Sequence, residues 1–271
     1  FLSQPAVSKT IKNLEAEYGK AFFLRQGNTI ELTDEGRLFL DYAERLLDIY
    51  AALGDEFLTE NAKLPSLVKI GASTTIGQYV IPRIAAGIQK DYPEVRFNLI
   101  CGNTDEIQQQ ILNAQLNFGI VEGDNHNTRL HYEPFVRDEL VLVTNSKNKK
   151  SIPDSIDIMK LHGLSFIGRE PGSGTREVIA NALVKHTLEP LNIDTVLGST
   201  ESIKSYLQYT NHFAFLPIHA INQELLEGKL RVVEVEGLTI ERWFYFVNRQ
   251  GYQSKTNQKL QNLLLAGYNK R

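Results

Sequence analysis

A single cysteine, a single methionine and a single tryptophan stand among the 271 residues of this chain. With Cys101 alone, no disulfide can close within the chain and no cysteine pair can form a redox switch, which favours a cytoplasmic setting. Cys101 follows the apolar run Val95 to Ile100, a position expected of a small buried residue at a strand end rather than a reactive thiol. No apolar stretch approaches the ~20 residues of a membrane span. Charge of one sign is also lacking. The 29 Lys and Arg against 32 Asp and Glu leave a net charge of −3, which argues against indiscriminate coating of nucleic acid and permits a local basic patch. Internal repeats and low-complexity tracts are absent, and 42% hydrophobic with 23% charged residues is ordinary soluble composition. The length exceeds what one compact core usually organises, so two or three domains are expected.

Catalytic motifs are missing too. Gly172-Ser173-Gly174 is not the Gly-x-Ser-x-Gly elbow, and nothing matches Gly-x-x-x-x-Gly-Lys-Ser/Thr or Gly-x-Gly-x-x-Gly. The six histidines, His126, His131, His162, His186, His212 and His219, never adopt a tight metal-ligand spacing. The chain is therefore expected to hold no catalytic residue, metal or cofactor. His219 alone, just after Phe215-Leu216-Pro217, is placed to approach a ligand.

What is present begins at Ser3-Gln4-Pro5-Ala6-Val7-Ser8-Lys9-Thr10-Ile11-Lys12-Asn13-Leu14-Glu15. Ser3 can cap a helix and Pro5 suits its first turn. Ala6, Val7, Ile11 and Leu14 recur at helical spacing and would face a small core. The other edge carries Gln4, Ser8, Lys9 and Lys12, types that pair with base edges or phosphates in a major groove. Phe22 to Arg25 and Ile30 to Thr33 then read as two short extended pieces around Gly27-Asn28, a wing. An isolated match of this kind is more often an ordinary amphipathic helix beside a hairpin; the motifs that follow in order favour DNA reading.

The order SQPAVSKTIKNLE, YGKAFFLRQGN, IELTDEGRLFL closely resembles the N-terminal DNA-binding region of LysR-type transcriptional regulators. The resemblance starts part-way into the family's motif. Phe1 is not an initiator Met and the family's first helix has no counterpart, so the chain is expected to be a fragment of a longer protein. The resemblance implies double-stranded DNA as a partner, with Ser3, Gln4, Pro5, Ser8, Lys9, Lys12 and Arg25 as the contacting residues of a winged helix-turn-helix remnant over residues 1–37.

From Thr33, a plausible cap, a helical pattern runs to about Ala62 without proline. Phe39, Tyr42, Leu46, Ile49, Leu53 and Phe57 step by threes and fours, a stripe that a coiled coil or the chain's own core would bury. Gly54 weakens the helix by ~1 kcal/mol and marks a point for a bend. The resemblance selects a dimerising linker helix over residues 38–63.

Beyond Lys63-Leu64-Pro65-Ser66, strand-like and helix-like segments alternate in the rhythm of an open, mainly parallel α/β sheet. Strand Leu67 to Ala72, helix Ile76 to Tyr92, strand Val95 to Ile100, helix Asp105 to Gln115 and strand Phe118 to Val121 form one series. Strand Leu164 to Ile167, helix Thr175 to His186, strand Thr195 to Leu197, helix Ser202 to Tyr209 and strand Ala214 to Leu216 form another. Glu139 to Thr144 and Trp243 to Asn248 are candidates for paired strands crossing a hinge, and Thr256 to Tyr268 for a closing helix. The pattern resembles the LysR-type effector domain, itself similar to periplasmic solute-binding proteins. The expected fold is thus α/β: a winged helix-turn-helix remnant, a long linker helix, and a two-lobed effector domain over residues 64–271. Lobe I takes about 66–142 and 244–271, and lobe II about 143–243.

Ser73-Thr74-Thr75-Ile76-Gly77 and Gly172-Ser173-Gly174-Thr175-Arg176 occupy matching strand-to-helix junctions of the two lobes, where ligands of open α/β sheets collect. Thr104 and Ser202 mark two more such junctions. Each hydroxyl taken singly is also what a plain helix cap looks like. The segment Arg169 to Arg176 is richer than a cap needs and is similar to the effector-approaching loop of family members that regulate sulfur assimilation and carbon fixation. The candidate effector residues are Ser73, Thr74, Thr104, Arg169, Ser173, Gly174, Thr175 and Ser202, and the expected ligand is a small anion or acidic metabolite. Arg169 is either its counter-charge or a solvated arginine. Arg176 in a first helical turn is electrostatically misplaced without a negative group nearby. Glu201 either caps its own helix or selects a ligand carrying a donor. The resemblance further implies a homodimer or homotetramer, with RNA polymerase as another partner and no membrane. The alternative is a solute-binding module with no genetic role, and residues 1 to 60 separate the two, since a transport receptor has no use for them.

Overall fold

The computed structural model describes residues 3–26, 29–58, 64, 66–113, 115–116, 118–123, 127–150, 152–251 and 255–269. The chain divides into two compact units, Phe1–Glu60 with Gly251–Lys255, and Asn61–Gln250 with Thr256–Arg271.

In the first unit helix α1 (Gln4–Tyr18) leads into a hairpin of β1 (Phe23–Gln26) and β2 (Thr29–Leu32), followed by helix α2 (Asp34–Leu58). Pro5 lies in the first turn of α1, and Gly19 ends it at φ 63°, a left-handed conformation that a residue without Cβ adopts freely. The small core is aromatic. Phe22 is buried and stacks on Phe39 at 4.3 Å between ring centroids, while Tyr18 meets Phe39 edge-on at 5.3 Å. Glu15 accepts the backbone N–H groups of Phe22 (2.7 Å) and Phe23 (3.2 Å), fixing the chain between α1 and β1. Thr33 accepts the Gly36 N–H at 2.8 Å as the cap of α2 and donates to the Ala21 carbonyl at 2.7 Å.

The two helices and the hairpin strands lie where the sequence pattern puts them, but two details differ. Ser3 holds the cap position of α1 with extended backbone, yet its side chain caps nothing. Ala6 and Val7 are exposed and Ile11 and Leu14 only half-buried, so α1 has no buried residue. The reason is that the aromatic core gathers at the far end of α1, on Tyr18 and Phe22. The Arg25 side chain and the turn residues Gly27 and Asn28 lie outside the described residues. Gln4, Lys9 and Lys12 are exposed, and Gln4 donates to the half-buried Ser8 hydroxyl at 3.2 Å. Along α2, Tyr42, Leu46 and Leu53 are exposed. The helix passes through Gly54 as far as Leu58, while the side chains of Ile49 and Phe57 and the expected last turn fall outside the described residues.

The second unit has two lobes. The first contains β3 (Leu67–Ser73), α3 (Thr74–Tyr79), α4 (Ile81–Asp91), β4 (Arg96–Gly102), α5 (Thr104–Leu112) and β5 (Gly119–Glu122). A long strand β6 (Leu130–Asn145) crosses to the second, which contains β7 (Ser155–Asp157), β8 (Phe166–Arg169), α6 (Gly174–Lys185), β9 (Ile193–Leu197), α7 (Thr200–Leu207), β10 (Phe213–Pro217), α8 (Asn222–Leu226) and β11 (Leu230–Glu236). Strand β12 (Ile240–Arg249) returns antiparallel to β6, from Ile240 opposite Leu140 to Arg249 opposite Leu130, and α9 (Lys255–Asn269) closes the chain. The main strand path runs β4-β3-β5-β12-β6-β10-β8-β9, with β3 parallel to β4 and β5, and β8 parallel to β9 and β10. Ile70, Ile76, Ile84, Phe244 and Phe246 belong to the core of the first lobe, and Leu142, Phe166, Phe215 and Ile240 to that of the second.

The expected single helix Ile76 to Tyr92 is two, because Pro82 lacks the N–H that would continue the first helix and the chain breaks at Val80. The crossing strand reaches back to Leu130, further than Glu139. Pro134 disguises it, sitting beside the register shift at Phe244/Tyr245 where a missing ladder donor does least harm. Cys101 is exposed rather than buried, since β4 is an edge strand; partial desolvation pushes its thiol pKa up, away from reactivity at neutral pH.

Two glycines in helices distinguish close approach from mere tolerance. A Cβ on Gly36 would lie 2.1 Å from the Phe22 carbonyl oxygen, whereas one on Gly87 in α4 meets nothing within 4 Å. Gly36→Ala is expected to cost about 1–3 kcal/mol and Gly87→Ala to add about 0.4–1 kcal/mol, both read by urea denaturation. Equal signs for the two changes contradict the described packing.

Candidate functional site

The strand ends of both lobes meet around a charged group with almost no access to water. Arg242 of β12 is 2% exposed; its Nε and Nη2 donate to Asp138 Oδ2 at 2.8 and 2.7 Å, and its Nη1 donates to Thr175 Oγ1 at 2.8 Å. The same Nη1 lies 3.3 Å from Glu122 Oε2 at the end of β5. Glu122 Oε1 accepts Thr75 of the first lobe at 3.4 Å and Thr175 of the second at 2.9 Å. One buried guanidinium thus ties two carboxylates and a hydroxyl from both lobes. His219 Nε2 stands 3.9 Å from Asp138 Oδ1, so this histidine approaches the tie.

The backbone closes round the same point. Thr104 Oγ1 donates to the Glu122 carbonyl at 2.8 Å, and the Asp105 N–H donates to Gly172 O at 3.2 Å. Gly172 takes φ 84°, and a Cβ on Gly174 would fall 2.1 Å from Glu122 O, so both glycines are needed for the loop before α6 to reach the first lobe. Gly174, Thr104 and Thr175 therefore build the junction between the lobes, and the hydroxyls of the two threonines are already bonded.

Other polar atoms at these strand ends are left without a partner. Ser73 Oγ, Arg169 Nη1, Ser173 Oγ and Thr200 Oγ1 are buried and make no hydrogen bond among the described residues. Ser73, Ser173 and Thr200 sit at the starts of α3, α6 and α7, yet neither Ser73 nor Ser173 caps its helix with its side chain. The plain-cap reading of these two serines is thereby excluded. Helix α3 has only 6 residues, so the dipole at its start is small.

Arg169 is 3% exposed rather than solvated, holding Glu170 through Nε (2.8 Å) and Nη2 (2.9 Å) and reaching Thr74 Oγ1 across the lobes at 3.4 Å. Burial opposes ionisation of Glu170, but its bonds to the Arg169 guanidinium prevail and hold the carboxyl below the usual range. Thr74 in turn donates to Gly102 O at 3.0 Å.

At the rim the Tyr79 hydroxyl of α3 donates to Glu201 of α7. Lys204, nearly buried, bonds Glu201 (2.8 Å), Glu224 (3.0 Å) and the Ala220 carbonyl (2.8 Å). Burial and the neighbouring Glu201 push the Tyr79 phenol pKa up. Glu201 is desolvated, yet bonds from Lys204 and Tyr79 hold its carboxyl low. It caps no helix: that part falls to Ser199, which accepts the Ser202 N–H at 3.1 Å. Ser202 is exposed, its Oγ 2.8 Å from Ser199 Oγ, and the residue buried at that junction is Thr200. Likewise α5 is capped by Asn103 in a capping box with Glu106, one residue before Thr104. His126 lies outside the described residues, and these contain no group of three His, Cys, Asp or Glu side chains that could hold a metal.

Replacing Arg242 by Met strands two buried carboxylates and is expected to cost about 3–5 kcal/mol in chemical denaturation. Adding Glu122→Gln and Asp138→Asn restores most of that loss. A loss under about 1 kcal/mol, the value of an exposed pair, contradicts a buried tie.

Comparison with known proteins agrees with this architecture. Residues 1–37 match the bacterial regulatory helix-turn-helix protein model of the lysR family, and residues 62–268 match the LysR substrate binding domain. The chain is 26% identical over 260 residues to the HTH-type transcriptional regulator CysL of Bacillus subtilis, covering 96% of this chain and 87% of that one. It is 31% identical over 267 residues to a probable RuBisCO transcriptional regulator of Trieres chinensis, covering 94% and 85%. The regulatory domain of CcmR from Synechocystis PCC6803, solved in complex with 2-PG, superposes with TM-score 0.67 at 26% identity over 75% of this chain and 98% of that one. With the DNA-binding model matched ahead of the two lobes, a solute-binding module without a genetic role is set aside. The chain belongs to the LysR family of transcriptional regulators.

Proposed function

We propose that this regulator takes a small anionic or acidic metabolite at the facing strand ends of its two lobes, held by Ser73, Arg169, Ser173 and Thr200. The observation that carries the reading is the set of four buried polar atoms there, each without a hydrogen-bond partner among the described residues. A buried donor left unsatisfied costs about 1–3 kcal/mol, and an anion carrying several acceptor oxygens satisfies hydroxyls and guanidinium together. Glu170 offsets part of the Arg169 charge, so hydroxyls and helix N–H groups carry more of the recognition than net charge does. The 2-PG complex of the CcmR regulatory domain supports an acidic effector for this chain.

The remaining assignments belong to the same proposal. Residues 1–37 read DNA through Ser3, Gln4, Pro5, Ser8, Lys9, Lys12 and Arg25. Residues 38–63 dimerise, the exposed Tyr42, Leu46 and Leu53 of α2 supplying the seam. Residues 64–271 hold the effector. The assembly is a homodimer or homotetramer, works in the cytoplasm without catalysing a reaction, and engages RNA polymerase. No helix among the described residues is long and apolar enough to cross a membrane. Regulation requires only that the effector prefer one arrangement of the assembly by ~1–3 kcal/mol.

Thermal unfolding of the chain with sulfate, sulfite, phosphate, 2-PG and organic acids tests the effector site. A matching anion at a hundred times its dissociation constant adds roughly 2.7 kcal/mol, and the paired change Ser73→Ala and Ser173→Ala erases that gain. A gain that survives the paired change, or no gain from any of these anions, contradicts the proposal.

A further inference from the structure

The second lobe contains a cavity of about 220 Å³ beside α6. Strands β8, β9 and β10 form its floor, α6 one wall and residues 188–191 the other. Phe166, Ile179, Leu183, Leu188, Leu191 and Phe215 make the interior apolar. Neither Ser73, Ser173 nor Thr200 lines it, and of the cleft residues only Arg169 borders both spaces. Protein interiors rarely leave voids much larger than a water molecule, so an apolar space of this size calls for an occupant. An engineered apolar cavity of roughly 150 Å³ stays dry and takes up benzene. The space here accommodates one ring and a short polar substituent.

The substituent's charge follows from the mouth. The cavity has two charged residues in its lining, Arg169 and Arg176. Arg169 is turned to Glu170 and Thr74. Arg176 is exposed, lies in the first turn of α6, donates through Nη1 to the Arg169 carbonyl at 3.2 Å, and has no carboxylate partner among the described residues. A cation in the first turn of a helix opposes the helix dipole. An anionic group at this mouth meets both the unpaired guanidinium and the positive helix end.

We infer that the cavity between α6 and strands β8 to β10 is a second ligand site, for a monocarboxylate whose apolar body is about one six-membered ring, its carboxylate on Arg176. The ring displaces no protein hydrogen bond, because the interior offers none, and the carboxylate stays at the solvent edge where Arg176 remains hydrated until bound. The site stands independently of the anion proposed for the cleft, since its recognition uses no cleft hydroxyl.

The test is calorimetric titration of the full chain with phenylacetate and with its neutral counterpart phenylacetamide, together with methyl NMR of Ile179 and Leu183. Phenylacetate is expected to bind saturably with shifts confined to these cavity methyls, and the amide to bind about tenfold more weakly. Arg176→Gln removes that difference between acid and amide. Ala180→Phe, at an exposed lining position, blocks the mouth and abolishes binding of both without lowering the melting temperature. Absence of saturable phenylacetate binding up to millimolar concentration overturns the proposal. So does binding that persists in Ala180→Phe, or equal affinity of acid and amide in the unaltered chain. None of these outcomes bears on sulfate or phosphate binding at Ser73 and Ser173, so the two sites fail or stand separately.

Discussion

The arrangement of the effector-binding unit depends on one buried guanidinium. Arg242 arrives on β12, Asp138 on β6 and Glu122 on β5, and each charge is tolerable in the interior only because the others are there. Thr75 and Thr175, one from each lobe, both donate to Glu122 Oε1. The tie therefore joins three strands and also the loop before α6, whose glycines let the backbone come close enough to use it. Such a network is worth little as raw stability compared with a well-packed apolar core. Its value here is positional, because it holds the strand ends of the two lobes together.

Around Arg242 each guanidinium nitrogen is paired, while Glu122 Oε2 and Asp138 Oδ1 accept no hydrogen bond; at the neighbouring strand ends Ser73 Oγ, Ser173 Oγ, Thr200 Oγ1 and one nitrogen of Arg169 are likewise without a partner among the described residues. Buried polar groups are normally satisfied, and the donors left over at these strand ends are the ones the proposed effector would complete. The Tyr79 to Glu201 bond also joins the lobes, at the rim, and Lys204 holds Glu201 in its charged form. Closure of the lobes is thus supported from the inside by Arg242 and at the edge by Glu201.

Part of this is legible in the sequence itself. The spacing of Ala6, Val7, Ile11 and Leu14, the two short extended pieces after Phe22 and the run after Thr33 give the helix, the hairpin strands and the following helix; Ser73 and Ser173 do fall at matching strand-to-helix junctions. Thr200 was hidden because Ser199-Thr200-Glu201-Ser202 offers several capping types in a row, and only geometry decides that Ser199 caps. The tie was hidden for a different reason. Glu122, Asp138 and Arg242 lie far apart in sequence, and strand pairing alone brings them together. A signal existed nonetheless: Glu122 ends the apolar run Phe118 to Val121, and Arg242 precedes Trp243 to Val247, so each is a charge at the margin of a strand that must be buried. The exposure of Val7 and Cys101 was not legible, because helical or strand periodicity says which residues share a face and not whether anything covers it.

A tetrahedral or carboxylate anion is proposed to complete the unpaired donors at the strand ends. Diffraction from crystals of this chain soaked in selenate tests that directly through the anomalous signal of selenium. The expected result is one strong peak within hydrogen-bonding distance of Ser73 Oγ, Ser173 Oγ and Arg169 Nη1. A peak away from these atoms, or none at all, would contradict it.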